Sequence, residues 1–500
     1  MTEYDFVIVG SGLGGLLTGA LLGKDGYSVC ILEKNPVFGG SLQTFKRQGV
    51  EFDTGMHYFG SFDKGQFCYK LFKYLGIYDD FKLKKLDLDR FDILNFQDKE
   101  YPFAQGFNNF IDKLSTHFPD DKDSICTFID KIKEIGSSQD MFNLIEDRKN
   151  DPFNFSPYYS QNAYDYISSI TKNSTLKNVL FGLNELIGGG KEKTNMFIFG
   201  MTYFSYLQSS WRFVGGSSQL ADLLLQKIKH FGGVVHNNTE VGEFVLGDNK
   251  NIESVNTKNG LKIKGKRFIS NIHPVNTLGL LPENVIRKVY NKRISNIENS
   301  AGMFSLYIVL NEKSFKYMNF NYYDFQTKNT WINSDIKLEK WPQGYWLATQ
   351  TPDQYAEYAN GITVLTPIDH KVFGKWKNTK VGHRGADYDN LKTELAQRLI
   401  KQITHRFPEL KQAIKSYYTA TPLTYRDYLG SPNGTAYGFI KDSENPFGTF
   451  VLPKTQIKNL FLTGQNINGH GMLGVSTGSL FTISFFTDIK AIVKKINNAG

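Results

Sequence analysis

Tyr4-Asp-Phe-Val-Ile-Val9, Gly10-Ser11-Gly12-Leu13-Gly14-Gly15 and Tyr27-Ser-Val-Cys-Ile-Leu-Glu33 decide the fold. The first run is apolar and β-branched, which predicts a strand buried on both faces of a parallel sheet. Leu13, Leu16, Leu17, Ala20 and Leu21 then recur at helical spacing, and the third run predicts a second strand that ends on an acid. Glycines between a strand and a helix, followed by such an acid, are what a dinucleotide pyrophosphate requires. Gly10 permits the tight turn, Gly12 admits phosphate to the backbone, and Gly15 lets the helix lie on the strand. The free N–H groups and positive dipole end of that helix, around Ser11, Leu13 and Gly14, would face the anion. Glu33 follows Gly10 by 23 residues, where its carboxylate can accept from ribose hydroxyls, with Lys34 beside it. The predicted fold class is α/β, built on a Rossmann-like domain.

Five hundred residues leave room for further domains around that unit. With 40% hydrophobic and 21% charged residues the composition is that of a globular protein. The 40 Phe, 27 Tyr and 5 Trp point either to an apolar binding cavity or to a Phe-rich core. The net charge is +9, but lysines and aspartates interleave and no nucleic-acid motif is present, so no nucleic-acid partner is expected. A basic balance suits either peripheral contact with an anionic membrane or plain solvated lysines. Cys30, Cys68 and Cys126 form no CxxC pair, so neither a disulfide framework nor a metal site is expected. The chain leads straight into a strand without a basic and then apolar leader, and no apolar run reaches spanning length. The expected location is cytoplasmic, or peripheral on the inner face of a membrane.

Seven later motifs follow in order. Gly39-Gly40-Ser41-Leu42-Gln43-Thr44-Phe45 leads to Gly49-Val50-Glu51-Phe52-Asp53-Thr54-Gly55-Met56-His57-Tyr58. Val214-Gly215-Gly216-Ser217-Ser218-Gln219-Leu220 precedes Glu240-Val241, and Phe268-Ile-Ser-Asn271-Ile-His-Pro274 comes next. Gly464-Gln465-Asn466 and Gly469-His470-Gly471-Met472-Leu473-Gly474 close the series. The set resembles the FAD-dependent family of phytoene desaturases, carotenoid isomerases and retinol saturases, most of all its retinol-saturase members. That resemblance implies FAD as cofactor, held by Gly10 to Gly15, Glu33, Lys34, Gly39, Gly40, Ser41, Val241, Gly464, Gln465 and Asn466. It also implies a C-terminal helix whose first residues, Met472, Leu473 and Gly474, point backbone N–H groups at the flavin. Asn466 departs from the family, which carries an aspartate there; a neutral amide would hydrogen-bond the ribityl or pyrophosphate part without a carboxylate.

The resemblance further implies a discontinuous FAD-binding domain over 1–65, 210–290 and 440–500, and an α+β substrate domain over 66–209 and 291–439. Within the first we expect a helix over Gln219 to His230, then a small sheet with strands at 233–236, 243–246 and 254–257 and Asn259-Gly260 as a hairpin turn. No second strand–GxGxxG–helix unit occurs, so reducing equivalents would come from transient NAD(P)H, a quinone or a protein donor.

The activity implied is oxidoreduction of a C=C bond in a lipophilic polyene, by saturation. Desaturation, flavin-dependent cis–trans isomerisation, amine oxidation and non-catalytic flavin or lipid binding remain open alternatives. His57 and Tyr58 follow the flavin motif and are the candidate catalytic pair. His57 suits proton donation near neutral pH, or else only satisfies a buried hydrogen bond. Glu185 reads as a buried acid or, in preference, as a surface residue of an amphipathic helix. Tyr425, Arg426 and Tyr437 are expected at the domain junction, Arg426 equally as a structural ion pair, and Met196 to Tyr206 as a tunnel wall or ordinary core.

Overall fold

The computed structural model describes residues 3–146, 156–247, 250–331, 337–350, 353, 355–467 and 469–500. Strand β1 (Glu3–Val9) runs into helix α1 (Leu13–Lys24) and returns as β2 (Val29–Leu32), parallel to β1 with Val9 beside Leu32. Leu13 to Gly23 are all buried, which is why this helix is apolar all round rather than amphipathic. It is wedged between the sheet, helix α2 (Ser218–His230) and helix α3 (Gly471–Ile483).

Five more strands complete this sheet: β3 (Val234–His236), β4 (Val241–Leu246), β5 (Ile252–Thr257), β6 (Lys262–Ser270) and β7 (Leu460–Leu462). The order is β3–β2–β1–β6–β5–β4, with β7 also on β6. The strands expected at 233–236, 243–246 and 254–257, with the turn at Asn259-Gly260, are present, and they extend the sheet of β1 and β2. The reason is the length of β6. One edge pairs with β1, while the other holds β5 antiparallel at Lys262–Lys264 and β7 parallel at Phe268–Ser270. Gly260, at φ +88°, makes the β5–β6 turn with its N–H on the Thr257 carbonyl. Val9, Leu32, Ser270 and Leu462 thus end side by side, leaving a crevice at the carboxyl edge of the parallel strands.

A second seven-stranded sheet runs Ile414–Ala420, Gly302–Leu310, Gly361–Ile368, Gly344–Gln350, Asn321–Phe325, Asp92–Phe96 and Lys99–Phe103. Pairing is antiparallel except between Asn321–Phe325 and Asp92–Phe96, which are parallel. Side chains alternate across it as a pleat demands. Tyr322, Tyr345 and Leu347 pack toward helix Ala386–Arg406, while Leu94, Tyr323 and Trp346 face the core that holds helix Met196–Gln208. Among the described residues no helix is long and apolar enough to cross a membrane.

Candidate active site

A cavity of about 570 Å³ joins the crevice to the second sheet, a volume suited to a small-molecule or cofactor site. At its first end lie Gly10, Gly12, Leu13 and Gly14, then Gly39, Gly40 and Ser41. No side chain caps α1, whose N-cap is Gly12, so its first N–H groups open on the cavity. Gly39 and Gly40 take φ of +109° and +56°, which bends the chain back so that Gly12 and Gly39 form a parallel bridge. Lys34 lines the same end and donates to the Asp427 carbonyl at 2.9 Å; Val241, the first residue of β4, lines it too.

Glu33 is buried and its carboxylate is already engaged. One oxygen accepts from the Ser11 N–H at 3.0 Å and the Ser11 hydroxyl at 2.7 Å; the other accepts from the Asn35 N–H at 2.9 Å. Ser11 does not line the cavity, and neither does Gly15, whose expected part is to let the helix lie on the strand. Ser11 turns its hydroxyl to Glu33, and a Cβ on Gly15 would collide with the Gly10 carbonyl, so both shape the turn from behind. Sequence reasoning missed Asn271 as a site residue. Its N–H binds the Val9 carbonyl at 2.8 Å, and its amide fills the space that Cβ atoms on Gly12, Gly14 and Gly464 would need.

Gly464, Gln465 and Asn466 line the cavity where β7 ends. Asn466 Oδ1 accepts from the Phe439 N–H at 2.9 Å, so its amide nitrogen is the donor left for a ligand. The Lys441 ammonium donates to the Asn466 carbonyl at 2.7 Å, and burial pushes that lysine down to about 7. Met472, Leu473 and Gly474 line the next stretch of wall. Helix α3 begins here at Gly471, N-capped by His470 with no side-chain hydrogen bond, so this terminus also opens on the cavity. The His470 ring lies tilted against Tyr437 with centroids 4.6 Å apart, bonds the Leu186 carbonyl at 2.6 Å, and is lowered by burial to about 4.

The far end is aromatic and apolar. Helix Met196–Gln208 sets Ile198, Met201, Thr202, Ser205 and Tyr206 along one wall, and buries Phe199, Tyr203 and Leu207 on its other face. Both readings of this segment therefore apply, one to each face. His57 lies against Trp346 with ring centroids 4.9 Å apart, and its Nδ1 is buried without a partner among the described residues. Burial, reinforced by the Arg212 cation, pushes His57 down to about 3. That corrects the expectation of an acid titrating near neutrality: His57 is a neutral imidazole there. Tyr58 is buried, and its hydroxyl meets Asp92 at 3.0 Å and the Tyr323 hydroxyl at 2.8 Å. Glu185 sits on a short 3-10 turn, Gly182–Leu186, and lines the cavity, which corrects its reading as a surface residue. Tyr425 and Tyr437 line the cavity, and Arg426 takes the ion-pair reading, with Asp427 at 2.6 Å.

Comparison with known proteins fits this geometry. Residues 8–75 match the NAD(P)-binding Rossmann-like domain family. The chain is 27% identical to the all-trans-retinol 13,14-reductase of Danio rerio, over 96% of this chain and 85% of that protein. It is 23% identical to the chloroplastic prolycopene isomerase of Daucus carota, over 95% of this chain and 78% of that one. The chain is thus similar to both proteins over nearly its whole length. Among solved structures, cyclohexylamine oxidase from Brevibacterium oxydans superposes with a TM-score of 0.62 at 11% identity, over 99% of each chain. In this relative of the retinol reductases, the two-sheet fold of a solved oxidase thus encloses one cavity with a glycine-lined end and an aromatic end.

Proposed function

We propose that this oxidoreductase binds FAD along the glycine-lined end of its cavity and reduces one C=C bond of a lipophilic polyene at the aromatic end. The observation that carries the reading is the continuity of the cavity: an uncapped helix N-terminus at one end and an apolar aromatic chamber at the other. The donor set fits FAD. Gly12 and Gly14 let the first turn of α1 close on Asn271 and Gly464, and its uncapped N–H groups and helix dipole suit a pyrophosphate. Glu33, oriented by Ser11 and Asn35, has one lone pair left, enough for a ribose hydroxyl. The α3 N-terminus at Met472 to Gly474 would stabilise negative charge on a flavin ring. When bound, FAD supplies two-electron hydride chemistry. The chain supplies the rest: Trp346, Tyr206 and Met201 enclose an apolar substrate, and the Tyr58 cluster holds protons beside it.

In this reading 1–65, 210–290 and 440–500 form the FAD-binding domain, and 66–209 with 291–439 the substrate domain. The polyene would be taken from a membrane surface by peripheral contact, and electrons would come from transient NAD(P)H, a quinone or a protein donor. The similarity to prolycopene isomerase favours a second reading, geometric isomerisation without net reduction.

Anaerobic absorption spectroscopy of the purified protein tests both. Reoxidation of the dithionite-reduced flavin band by an added polyene, with a product two hydrogens heavier, is the expected result. A persistent reduced band with a changed polyene geometry favours the isomerase, and failure to bind FAD on reconstitution overturns the proposal.

A further inference from the structure

Beneath the aromatic end of the cavity runs a buried polar chain. Asp92 is fully buried on the strand Asp92–Phe96, and Tyr323 nearly so on its parallel neighbour Asn321–Phe325. The Tyr58 hydroxyl lies 3.0 Å from Asp92 Oδ2 and 2.8 Å from the Tyr323 hydroxyl. Asn321 Nδ2 donates to the other Asp92 oxygen at 2.7 Å. The amide is fixed in that sense because Arg212, which can only donate, binds Asn321 Oδ1 at 2.9 Å. Arg212 is itself anchored on the Thr349 carbonyl at 2.9 Å. Asp92 Oδ2 is thereby reserved for Tyr58.

Counting hydrogens gives this chain two states. Ionised Asp92 only accepts, so Tyr58 donates to it, Tyr323 donates to Tyr58, and no hydroxyl proton is left for the cavity. Protonated Asp92 donates to Tyr58, Tyr58 donates to Tyr323, and the Tyr323 proton is freed toward the cavity that Tyr323 lines. We infer that Asp92, Tyr58 and Tyr323 form a proton relay that delivers one proton to a substrate carbon at the aromatic end of the cavity. Tyr323 is the catalytic residue that touches substrate; Tyr58 and Asp92 act through it. The inference rests on the reduction proposed above.

The balance is complete. One alkene carbon receives a hydride, with its electron pair, from a reduced flavin, which is oxidised. The displaced π pair of the neighbouring carbon takes the Tyr323 proton as that O–H bond breaks. The Tyr58 proton moves to Tyr323, the Asp92 proton moves to Tyr58, and Asp92 remains as carboxylate until water reprotonates it. The substrate gains two hydrogens and two electrons.

The surroundings suit this cycle. Burial pushes Asp92 up to about 7, against the opposing hydrogen bonds of Asn321 and Tyr58 and the Arg212 cation. The other titratable groups facing it are Tyr58, Tyr203, Tyr206 and Tyr323, all driven by burial well above the ordinary phenol value. Asp92 is then the member that changes charge near neutral pH, and its protonated share falls as pH rises through about 7.

Two measurements on the FAD-loaded protein test the relay. Infrared difference spectra, recorded without substrate from pH 5 to 9, are expected to show a protonated-carboxyl C=O band that titrates near pH 7 and is missing in Asp92→Asn. Single-turnover reduction of a polyene is expected to slow about 10²-fold or more in Tyr323→Phe, the range of a lost general acid. In the wild type that step should lose rate tenfold per pH unit above about 7, and Asp92→Asn should lack this limb. Tyr58→Phe, which breaks the chain at its middle, should match Tyr323→Phe if Asp92→Asn fails to fold. A Tyr323→Phe rate within threefold of wild type overturns the relay while leaving the reduction standing. Absence of the infrared band overturns the two-state chain, and a wild type that reduces no polyene overturns both the reduction and the proton delivery that rests on it.

Discussion

Gly14 and Gly464 touch across the nucleotide end of the cavity: a Cβ on Gly14 would stand 2.7 Å from the Gly464 Cα, and Asn271 Oδ1 would lie 2.5 Å from a Cβ on either glycine. The first turn of α1, the exit of β7 and the loop after β6 are thus clamped at one point from three distant parts of the chain. Gly14→Ala must push that turn away from β7. Overpacking of this kind costs about 1–3 kcal/mol. The expected outcome is a lower melting temperature and at least a tenfold loss of FAD retained after dialysis. Gly374→Ala is the control, because nothing lies within 4 Å of a Cβ there. Equal flavin content in both variants would refute the clamp.

Glu33 gives a second test at the same end. Its carboxylate accepts three hydrogen bonds, two from Ser11 and one from Asn35. Glu33→Gln keeps the shape but sets an amide NH₂ against one of those donors. An unsatisfied buried donor costs about 1–3 kcal/mol. The dissociation constant for FAD, read by fluorescence titration of the flavin-free protein, should rise about 10- to 100-fold. Ser11→Ala removes one donor and leaves no clash, so its effect should be smaller. Wild-type affinity in Glu33→Gln would remove Glu33 from the site.

The glycine-lined end of the cavity was legible because its signals are contiguous. Strand, glycines, helix and acid lie within Tyr4 to Glu33, and each residue type states its own backbone demand. Ser11 and Gly15 show the limit of that reading: the motif names the turn but not which of its atoms face inward. Glu185 was misread because an acid after an apolar run resembles a helix face, whereas the local turn is 3-10 and points it into the cavity. The Asp92 chain was invisible for a different reason. Asn321 and Asp92 are 229 residues apart and meet only because their strands pair in parallel, a register that no local pattern announces. Asp92 in a short apolar run is the one available hint, since an unpaired buried carboxylate is costly.

The buried titratable groups give opposite pH dependences, and the signs separate them. Burial raises Asp92 to about 7 and Asp53 to about 6, so each contributes stability that is present below the unfolded value near 4 and lost as pH rises through the folded value. His57, His273 and His470 are lowered by burial to about 3, 4 and 4. Their contributions are present above the unfolded value near 6.5 and lost as pH falls toward the folded ones. Asp92→Asn removes only the first kind. Between pH 4 and 7 its stability in urea melts, taken relative to wild type, should therefore improve steadily with pH. A pH-independent difference would mean that Asp92 titrates as an ordinary exposed carboxylate. His57 should show no ring titration by NMR between pH 5 and 8.

Helix Met196–Gln208 offers a prediction that separates packing from specificity. Phe199 is fully buried, with its ring 5.6 Å from Phe181 and 5.1 Å from Tyr203, on the side away from the cavity. Two residues along, Met201 lines the cavity opposite the second sheet. A helix turns about 100° per residue, so one position lost to the core and one lost to the chamber should differ in kind. Phe199→Ala leaves a core cavity and should cost about 3–5 kcal/mol, with the product unchanged. Met201→Trp fills space in the chamber instead. It should shift the KM ratio between a long and a short polyene at least tenfold while leaving the melting temperature near wild type. If Met201→Trp unfolds the protein and Phe199→Ala alters substrate choice, the helix is turned the other way and the aromatic chamber lies on its opposite face.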